Sequence, residues 1–321
     1  NDRIVSGSNG HQSGFEGGDG VDTTDFSAAT AGVTVNLARW EYYQNTGAGQ
    51  LRLVGIENLI GSGFADVLLG DGNANRIEGA GGRDTLSGGP GNDQMFGGFG
   101  NDGFRAGTGA DLFDGGAGVD AVNFSTATSS MIFLDGSGTN AGGAAGDTFS
   151  GIENINGSLT GPDIITGDAS GNRFIGNGGN DRFIGRNGID QLEGGDGDDR
   201  LAGEQGNDIL VGGAGVDTFV FNLAPAAGGL DRTNDFVAGT DRIEIDASIF
   251  GGGPTAGGTV QFASGSGIPS SAGFAGGVFL YNTTNGFLYW DADGQGAGAA
   301  VAFFRLQNLP ALGAADFLVV P

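Results

Sequence analysis

The chain of 321 residues has no cysteine, no lysine and one histidine. Without disulfides, a secreted chain needs another source of stability, and bound metal is the obvious substitute. Its formal charge is −25, because 38 acidic residues face 13 arginines. Such a chain repels itself when free of ions, and its charge argues against nucleic acid or an anionic membrane as a partner. No stretch approaches 18 continuous apolar residues, so no membrane insertion is predicted.

Glycine, by contrast, is abundant and periodic, with 70 copies. From Gly79 to Asn123 the sequence repeats every nine residues as GAGGRDTLS, GGPGNDQMF, GGFGNDGFR, AGTGADLFD and GGAGVDAVN. The sixth place of each unit is Asp and the eighth place is apolar. The same frame returns from Gly176 to Val220. Two blocks that keep one register are not explained by chance turn composition.

Each nine-residue unit contains a turn and a short strand. The glycine-rich half specifies a tight turn, because glycine reaches backbone angles with φ > 0 that other residues reach at a cost. The next three residues form a brief strand whose eighth-place residue points to one face. Two units per circuit then make a flattened coil with a narrow apolar core. No unit can bury its apolar residue alone, so the units must stack.

Stacking places the sixth-place carboxylates above one another at the strand spacing of about 4.8 Å. Bare carboxylates at that spacing repel, and their pKa values rise. A hard cation between turns removes the repulsion. Calcium suits this role better than magnesium, because it accepts six to eight oxygens in flexible geometry. The predicted metal ligands are Asp22, Asp66, Asp84, Asp93, Asp102, Asp111, Asp120, Asp163, Asp181, Asp190, Asp199, Asp208 and Asp217.

Two early units carry asparagine in the metal place. These are Asn75 in the first block and Asn172 in the second. A neutral amide is a weaker ligand than a carboxylate, so we expect these sites to be weaker or absent. The fold as a whole is predicted to depend on bound calcium.

The unit GGxGxDxUx, in which U is apolar, resembles the calcium-binding repeat of the RTX (repeats-in-toxin) family. The resemblance implies a right-handed parallel β-roll whose ions are held by Asp side chains and backbone carbonyls of neighbouring turns. The tail is similar to the C-terminal cap of serralysin-like RTX proteins in Asp217–Phe221, in DFVAGTDRIEI and in Asp316–Val320. In that family the extreme C-terminus is an uncleaved signal for type I secretion. The resemblance therefore implies the type I apparatus as a partner and an extracellular or cell-surface location, although Pro321 departs from the pattern.

The predicted fold class is all-β, with two parallel β-roll blocks, interspersed strand inserts and a β-rich C-terminal cap. Gly55–Leu59 is echoed by Gly151–Ile155, at an offset of 96 residues, which indicates a duplicated module. The predicted segments are a partial turn with a strand insert (1–54), the first roll (55–123), a second insert (124–150), the second roll (151–220) and the cap (221–321). The chain begins at Asn1 without Met or a signal-peptide pattern, which indicates a processed chain or a fragment.

The segment Arg39–Tyr43 is an aromatic patch within the first insert. A sheet face packed within the molecule is favoured for it. The alternatives are a binding site for a glycan or for a partner subunit.

No catalytic constellation is found, so no catalytic residue is assigned and the chain is predicted not to be an enzyme. His11 is the one possible base and lies in a degenerate turn, which gives Ser-His-Asp catalysis no plausible geometry. The HExxH and GxSxG motifs are absent, which excludes the corresponding zinc protease and lipase chemistries.

Two functions from different classes remain. The favoured one is a secreted calcium-binding structural protein that builds a surface layer, a matrix or an adhesive, with self-assembly or a cell-surface glycan as its candidate partner interactions. The alternative is the C-terminal folding and secretion module of a larger RTX enzyme of protease or lipase type.

Overall fold

The computed structural model describes residues 1–6, 13–250, 254–294 and 300–321. His11 lies outside the described residues. The chain separates into two compact units, Asn1–Asn156 and Gly157–Pro321. Helix in the described ranges is limited to Pro225–Gly228 and the two 3₁₀ segments Leu37–Arg39 and Ala314–Asp316. None of these is long and apolar enough to cross a membrane.

The first unit is built from two parallel sheets, and each sheet contains the strands of alternate nine-residue units. One sheet contains Arg3–Val5, Thr23–Asp25, Asn58–Ile60, Arg76–Gly81, Gln94–Phe99, Leu112–Ala117 and Thr148–Ser150. The other contains Thr34–Asn36, Val67–Leu69, Thr85–Ser87, Gly103–Arg105, Ala121–Asn123 and Asn154–Asn156. The remaining strands are Ser13–Glu16, Gln44–Asn45 and Gln50–Val54 in a small sheet, and the hairpin Ser130–Phe133 with Ala141–Gly142.

The register of these sheets confirms two units per circuit. Gln94 pairs with Arg76 on one side and with Leu112 on the other, so paired residues are 18 apart in sequence. Thr85 pairs with Gly103 at the same separation in the opposite sheet. Successive nine-residue units therefore alternate between the two sheets, as a β-roll requires.

The second unit repeats this architecture and adds the C-terminal region. One set of paired strands contains Arg173–Gly178, Gln191–Asp196, Ile209–Ala214, Asp231–Thr233, Val301–Leu306, Phe287–Asp291, Val278–Asn282 and Phe262–Gly265. The other contains Ile164–Thr166, Arg182–Asn187, Arg200–Gln205, Thr218–Phe221, Arg242–Asp246 and Phe317–Val320. Val278–Asn282 and Phe287–Asp291 form an antiparallel hairpin.

Eighth-place residues fill the core of both rolls, as the pattern predicts. All ten are at most 1 % exposed: Leu86, Met95, Phe104, Phe113, Val122, Phe183, Leu192, Leu201, Leu210 and Phe219. Phe104 and Phe113 occupy the eighth place of two successive units, and their rings meet edge to face with centroids 5.8 Å apart. This is a favourable geometry for stacked aromatic side chains.

The C-terminal region covers the end of the second roll. Phe317–Val320 pairs in parallel with Arg242–Asp246, which pairs with the last roll strand, Thr218–Phe221. Phe219 also contacts Phe304 from the cap, with centroids 5.6 Å apart. The cap thus supplies both strand partners and apolar side chains at a solenoid end that would otherwise expose them.

The prediction that the aromatic patch packs inside the molecule is wrong. Trp40, Tyr42 and Tyr43 are 49 %, 68 % and 49 % exposed. The reason is local, because the strand Thr34–Asn36 ends in a 3₁₀ turn whose start is capped by Asn36 Oδ1 accepting from the Ala38 N–H. The chain therefore leaves the sheet before the aromatic residues, which surround a surface hollow of about 440 Å³.

Candidate metal centre

The structure buries every predicted calcium ligand. All thirteen sixth-place aspartates are at most 3 % exposed. Ionised carboxylates are rarely buried unless they are paired or coordinate a metal. Burial on this scale therefore requires a partner for each charge.

One carboxylate oxygen of each of these aspartates accepts a hydrogen bond from a backbone N–H. These bonds run from circuit to circuit, and we call the series the backbone ladder. The N–H of each sixth-place residue donates to Oδ1 of the sixth-place aspartate one circuit later, as Asp84 does to Asp102 at 2.8 Å and Asp181 to Asp199 at 2.8 Å. Ten such bonds, each between residues 18 apart, measure 2.7–3.0 Å. The ladder fixes the rotamer of each side chain and aims its second oxygen, Oδ2, into the turn.

That second oxygen lacks a hydrogen-bond partner in nine of the thirteen aspartates, as far as the described residues show. They are Asp22, Asp84, Asp93, Asp102, Asp120, Asp181, Asp190, Asp199 and Asp208. A buried polar atom without a partner is costly, and more so when it carries charge. A cation bound at Oδ2 removes this cost.

The first-place glycines leave room for a backbone carbonyl oxygen beside each Oδ2 atom. A Cβ placed on Gly79 would lie 2.3 Å from Asp84 Oδ2 and 2.7 Å from the carbonyl oxygen of Gly97, one circuit later. On Gly176 it would lie 1.9 Å from Asp181 Oδ2 and 2.4 Å from the Gly194 carbonyl oxygen. Carboxylate and carbonyl oxygens around a small cradle are the donor set that calcium takes.

Side chains alone do not form a metal site. No group of three or more His, Cys, Asp or Glu side chains converges within the described part of the chain. Backbone carbonyls would therefore supply much of the coordination. The residues fit a hard cation held by sixth-place carboxylates together with first-place glycine carbonyls, and they do not fit a soft, side-chain-only site.

Burial raises the pKa of these carboxyl groups. It brings the pKa to about 7 for Asp84, Asp181, Asp190 and Asp217, and to about 6 for Asp93, Asp120 and Asp199. Neighbouring aspartates add to the effect, as Asp163 and Asp199 do on the pKa of Asp181, while the ladder hydrogen bond opposes it. The predicted upward shift from stacked carboxylates is thus present, with burial as its largest cause.

Some units depart from this arrangement. Asp66 Oδ2 accepts from the Ser62 N–H at 2.6 Å, and Asp163 Oδ2 accepts from the Ser158 N–H at 2.7 Å. Asn75 Oδ1 accepts from the Asp71 N–H at 2.9 Å, while its amide donates to the Glu57 carbonyl at 2.8 Å. Protein groups occupy the inward-facing oxygen in these units.

Sequence reasoning missed the acidic residues that close the ladders at insert boundaries. In each case the backbone N–H of a sixth-place aspartate donates to a carboxylate oxygen of the later residue, at 2.8–3.1 Å. The pairs are Asp111 with Asp147, Asp208 with Asp231, Asp217 with Asp241, Asp22 with Glu57 and Asp120 with Glu153. Their spacings of 23 to 36 residues hide them from a nine-residue search. The recurring segments around Glu57 and Glu153 were the available signal.

The family comparison agrees with this geometry. The family model of the RTX calcium-binding nonapeptide repeat (4 copies) matches residues 54–86, 69–104, 97–125, 147–183, 158–192 and 184–219. Both blocks are RTX calcium-binding repeats. Eight of the nine aspartates whose Oδ2 lacks a partner among the described residues lie in the matched ranges, from Asp84 to Asp120 and from Asp181 to Asp208, and Asp22 lies outside them.

The comparison with solved structures gave two matches. The AlgE6R3 subunit of the mannuronan C5-epimerase from Azotobacter vinelandii is 24 % identical, covers 50 % of this chain and 79 % of its own, and has a TM-score of 0.17. The extracellular lipase LipA from Serratia marcescens is 15 % identical, and the match covers 79 % of this chain but 40 % of the lipase, with a TM-score of 0.18. The comparison with curated proteins found no match.

Proposed function

We propose that this chain is a secreted, extracellular calcium-binding RTX protein with a structural role, which folds when calcium binds. The observation that carries the proposal is the set of nine buried Oδ2 atoms for which the described residues offer no hydrogen bond. Calcium held by these atoms and by glycine carbonyls would supply the positive charge that the stacked aspartates lack. The protein's own part is to hold the carboxylates in register through the backbone ladder.

Dependence on calcium suits a chain that is exported before it folds. At cytosolic calcium levels the buried carboxylates have no counter-charge, so the rolls are unstable and the chain remains extended. At extracellular calcium levels the rolls form. In the proposed export through a type I apparatus, Phe317–Val320 pairs with the cap strand Arg242–Asp246 once the chain has folded.

We also propose a non-enzymatic role, which the burial of the sixth-place aspartates supports. The sixth-place aspartates are at most 3 % exposed and their Oδ1 atoms belong to the backbone ladder. Groups held in this way are out of reach of a substrate. We therefore propose a surface layer, matrix or adhesive role for the chain.

Sedimentation velocity across a calcium titration, with magnesium as the control, tests the structural role. We expect calcium, and not magnesium, to compact the chain and then to drive it into large assemblies. Compaction to a monomer without further growth would favour the alternative, a folding and secretion module of a larger RTX enzyme of protease or lipase type.

The aromatic patch is the surface that we propose for assembly. Trp40, Tyr42 and Tyr43 are 49 %, 68 % and 49 % exposed, and exposed aromatic groups of this kind act as anchors in interfaces. Replacing all three by Ala should weaken calcium-dependent assembly by roughly 30-fold or more, because one hot-spot residue is worth about 2 kcal/mol. The monomer's unfolding midpoint should not change.

Phe99→Ala is the matched control, because Phe99 is 76 % exposed and lies in the first roll, away from the patch in sequence. It should leave assembly unchanged. If the triple variant assembles like the wild type, the patch is not the assembly surface. Binding of the wild type, but not of the variant, to a glycan panel would then assign the patch to a cell-surface glycan.

A further inference from the structure

The RTX turns of this chain have two backbone forms. In ten turns with a sixth-place aspartate, the second residue lies in the left-handed region with φ of 69–116°. These residues are Gly18, Ala80, Gly89, Gly98, Gly116, Asn177, Arg186, Gly195, Glu204 and Gly213. Four of them are not glycine, and such residues enter this region at an energetic cost. The fold must therefore hold the turns in this form, and we call them open turns.

In an open turn, the second-place N–H does not reach the aspartate. Nine of the ten open turns contain the Oδ2 atoms that lack a partner among the described residues. The tenth contains Asp217, whose second-place Gly213 has the same left-handed φ of 105°. The backbone conformation of one residue thus exposes a carboxylate oxygen to the interior of the turn.

Other turns are closed, which means that a backbone N–H from the first or second place bonds to the inward-facing oxygen of the sixth-place side chain. Ser62 donates to Asp66 at 2.6 Å, and Ser158 donates to Asp163 at 2.7 Å. Asn75 and Asn172 are held in the same way by Asp71 and Asp168. The Asp111 turn shares one feature with these turns, because its second-place residue, Gly107, lies outside the left-handed region. The nearby Gly107 N–H also opposes the rise that burial causes in the pKa of Asp111.

The sequence cause is clearest in the turn Ala106–Asp111. Every open turn has glycine in the first place, where a Cβ would lie 1.9–2.6 Å from Oδ2 of the aspartate, and the closed turns of Asp66 and Asp163 share this glycine at 2.4 and 2.2 Å. The Asp111 turn has Ala106 there, so its Cβ stands where an open carboxylate needs room. Gly107 and Gly109 are retained in this turn. A single methyl group therefore separates its sequence from that of an open turn.

We infer that calcium binds only at the ten open turns and not at the turns of Asp66, Asp111 and Asp163, of which Asp66 and Asp163 act as hydrogen-bonded caps of their own turns. This inference rests on the proposed calcium-dependent function. It reduces the thirteen predicted ligands to ten and places a turn without calcium inside the first roll.

Calcium counted by native mass spectrometry at saturating ion tests this inference directly. Asp102 and Asp111 lie in neighbouring units of the same roll and are equally buried, so they form a matched pair. We expect Asp102→Asn to lose at least one ion and Asp111→Asn to retain the wild-type number. Asn75 shows that a roll accepts asparagine at this place. Loss of an ion from Asp111→Asn overturns the inference.

A second pair of variants tests the steric cause. Ala106→Gly should gain one ion, because it restores the first-place glycine of an open turn. Ala80→Gly is the control, because Ala80 already lies in an open turn with φ of 77°, and the ion count should not change. An unchanged count for Ala106→Gly contradicts the steric explanation. A wild-type chain that binds no calcium refutes the proposed function instead, so the two failures are distinguishable.

Discussion

Removal of calcium by a chelator at pH 7.5 should unfold both rolls. If free calcium is about ten times the dissociation constant, each site adds roughly 1.4 kcal/mol by mass action. Ten open turns then contribute on the order of 14 kcal/mol, which equals the whole stability of a typical domain. No disulfide is available to replace this term, because the chain has no cysteine.

Urea unfolding followed by far-ultraviolet circular dichroism measures this effect. With calcium we expect a cooperative transition, and with chelator little β-signal at any urea concentration. Adding magnesium to the chelated chain should not restore the transition, since magnesium dehydrates reluctantly and demands octahedral geometry. Equal midpoints with and without calcium would contradict the account.

The second large effect is that a rise in pH lowers the stability of the metal-free fold and raises its affinity for calcium. Buried aspartates such as Asp84, Asp181 and Asp190 have a pKa of about 7 in the fold, against 3.8 for the free side chain. Their contribution to the stability of the metal-free fold is fully present below pH 3.8. It is lost as the pH rises through 7. The metal-free chain should therefore be more structured at pH 4 than at pH 8.

Calcium affinity should change in the other direction, because calcium binds the ionised carboxylate. A group with a pKa of about 7 is almost wholly protonated at pH 5, so each such carboxylate lowers the apparent affinity about 100-fold relative to pH 8. Isothermal titration calorimetry in buffers of different ionisation enthalpy measures both the affinity and the protons released. Equal affinities at pH 5 and pH 8, with no proton release, would refute this prediction.

The periodic part of the chain was predictable from sequence because two residue types repeat in one register. The eighth-place residues, such as Leu86 and Phe183, had to share a core, and pairing at 18 residues followed from two units per circuit. The stacking of the sixth-place aspartates one circuit apart followed from the same register, whereas their burial did not. Which of them bind calcium stays a proposal, as does the division into five segments.

The remaining features depend on single atoms or on breaks in the period. Asp147 continues the ladder within the second insert and Asp231 continues it in the cap, so spacing alone does not find them. The difference between the Asp111 turn and its neighbours depends on the Cβ of Ala106, a change that motif matching treats as minor. The aromatic patch turned outward because a 3₁₀ turn follows Asn36, and local alternation gave no sign of it.

Hydrogen exchange followed by mass spectrometry, with and without calcium at pH 7.5, tests the central claim most directly. That claim is that calcium bound in the open turns orders the rolls. Amides of roll strands such as Gln94–Phe99 and Gln191–Asp196 should be protected with calcium and should exchange freely with chelator or with magnesium alone. Equal protection of these strands in the presence and absence of calcium would contradict the account.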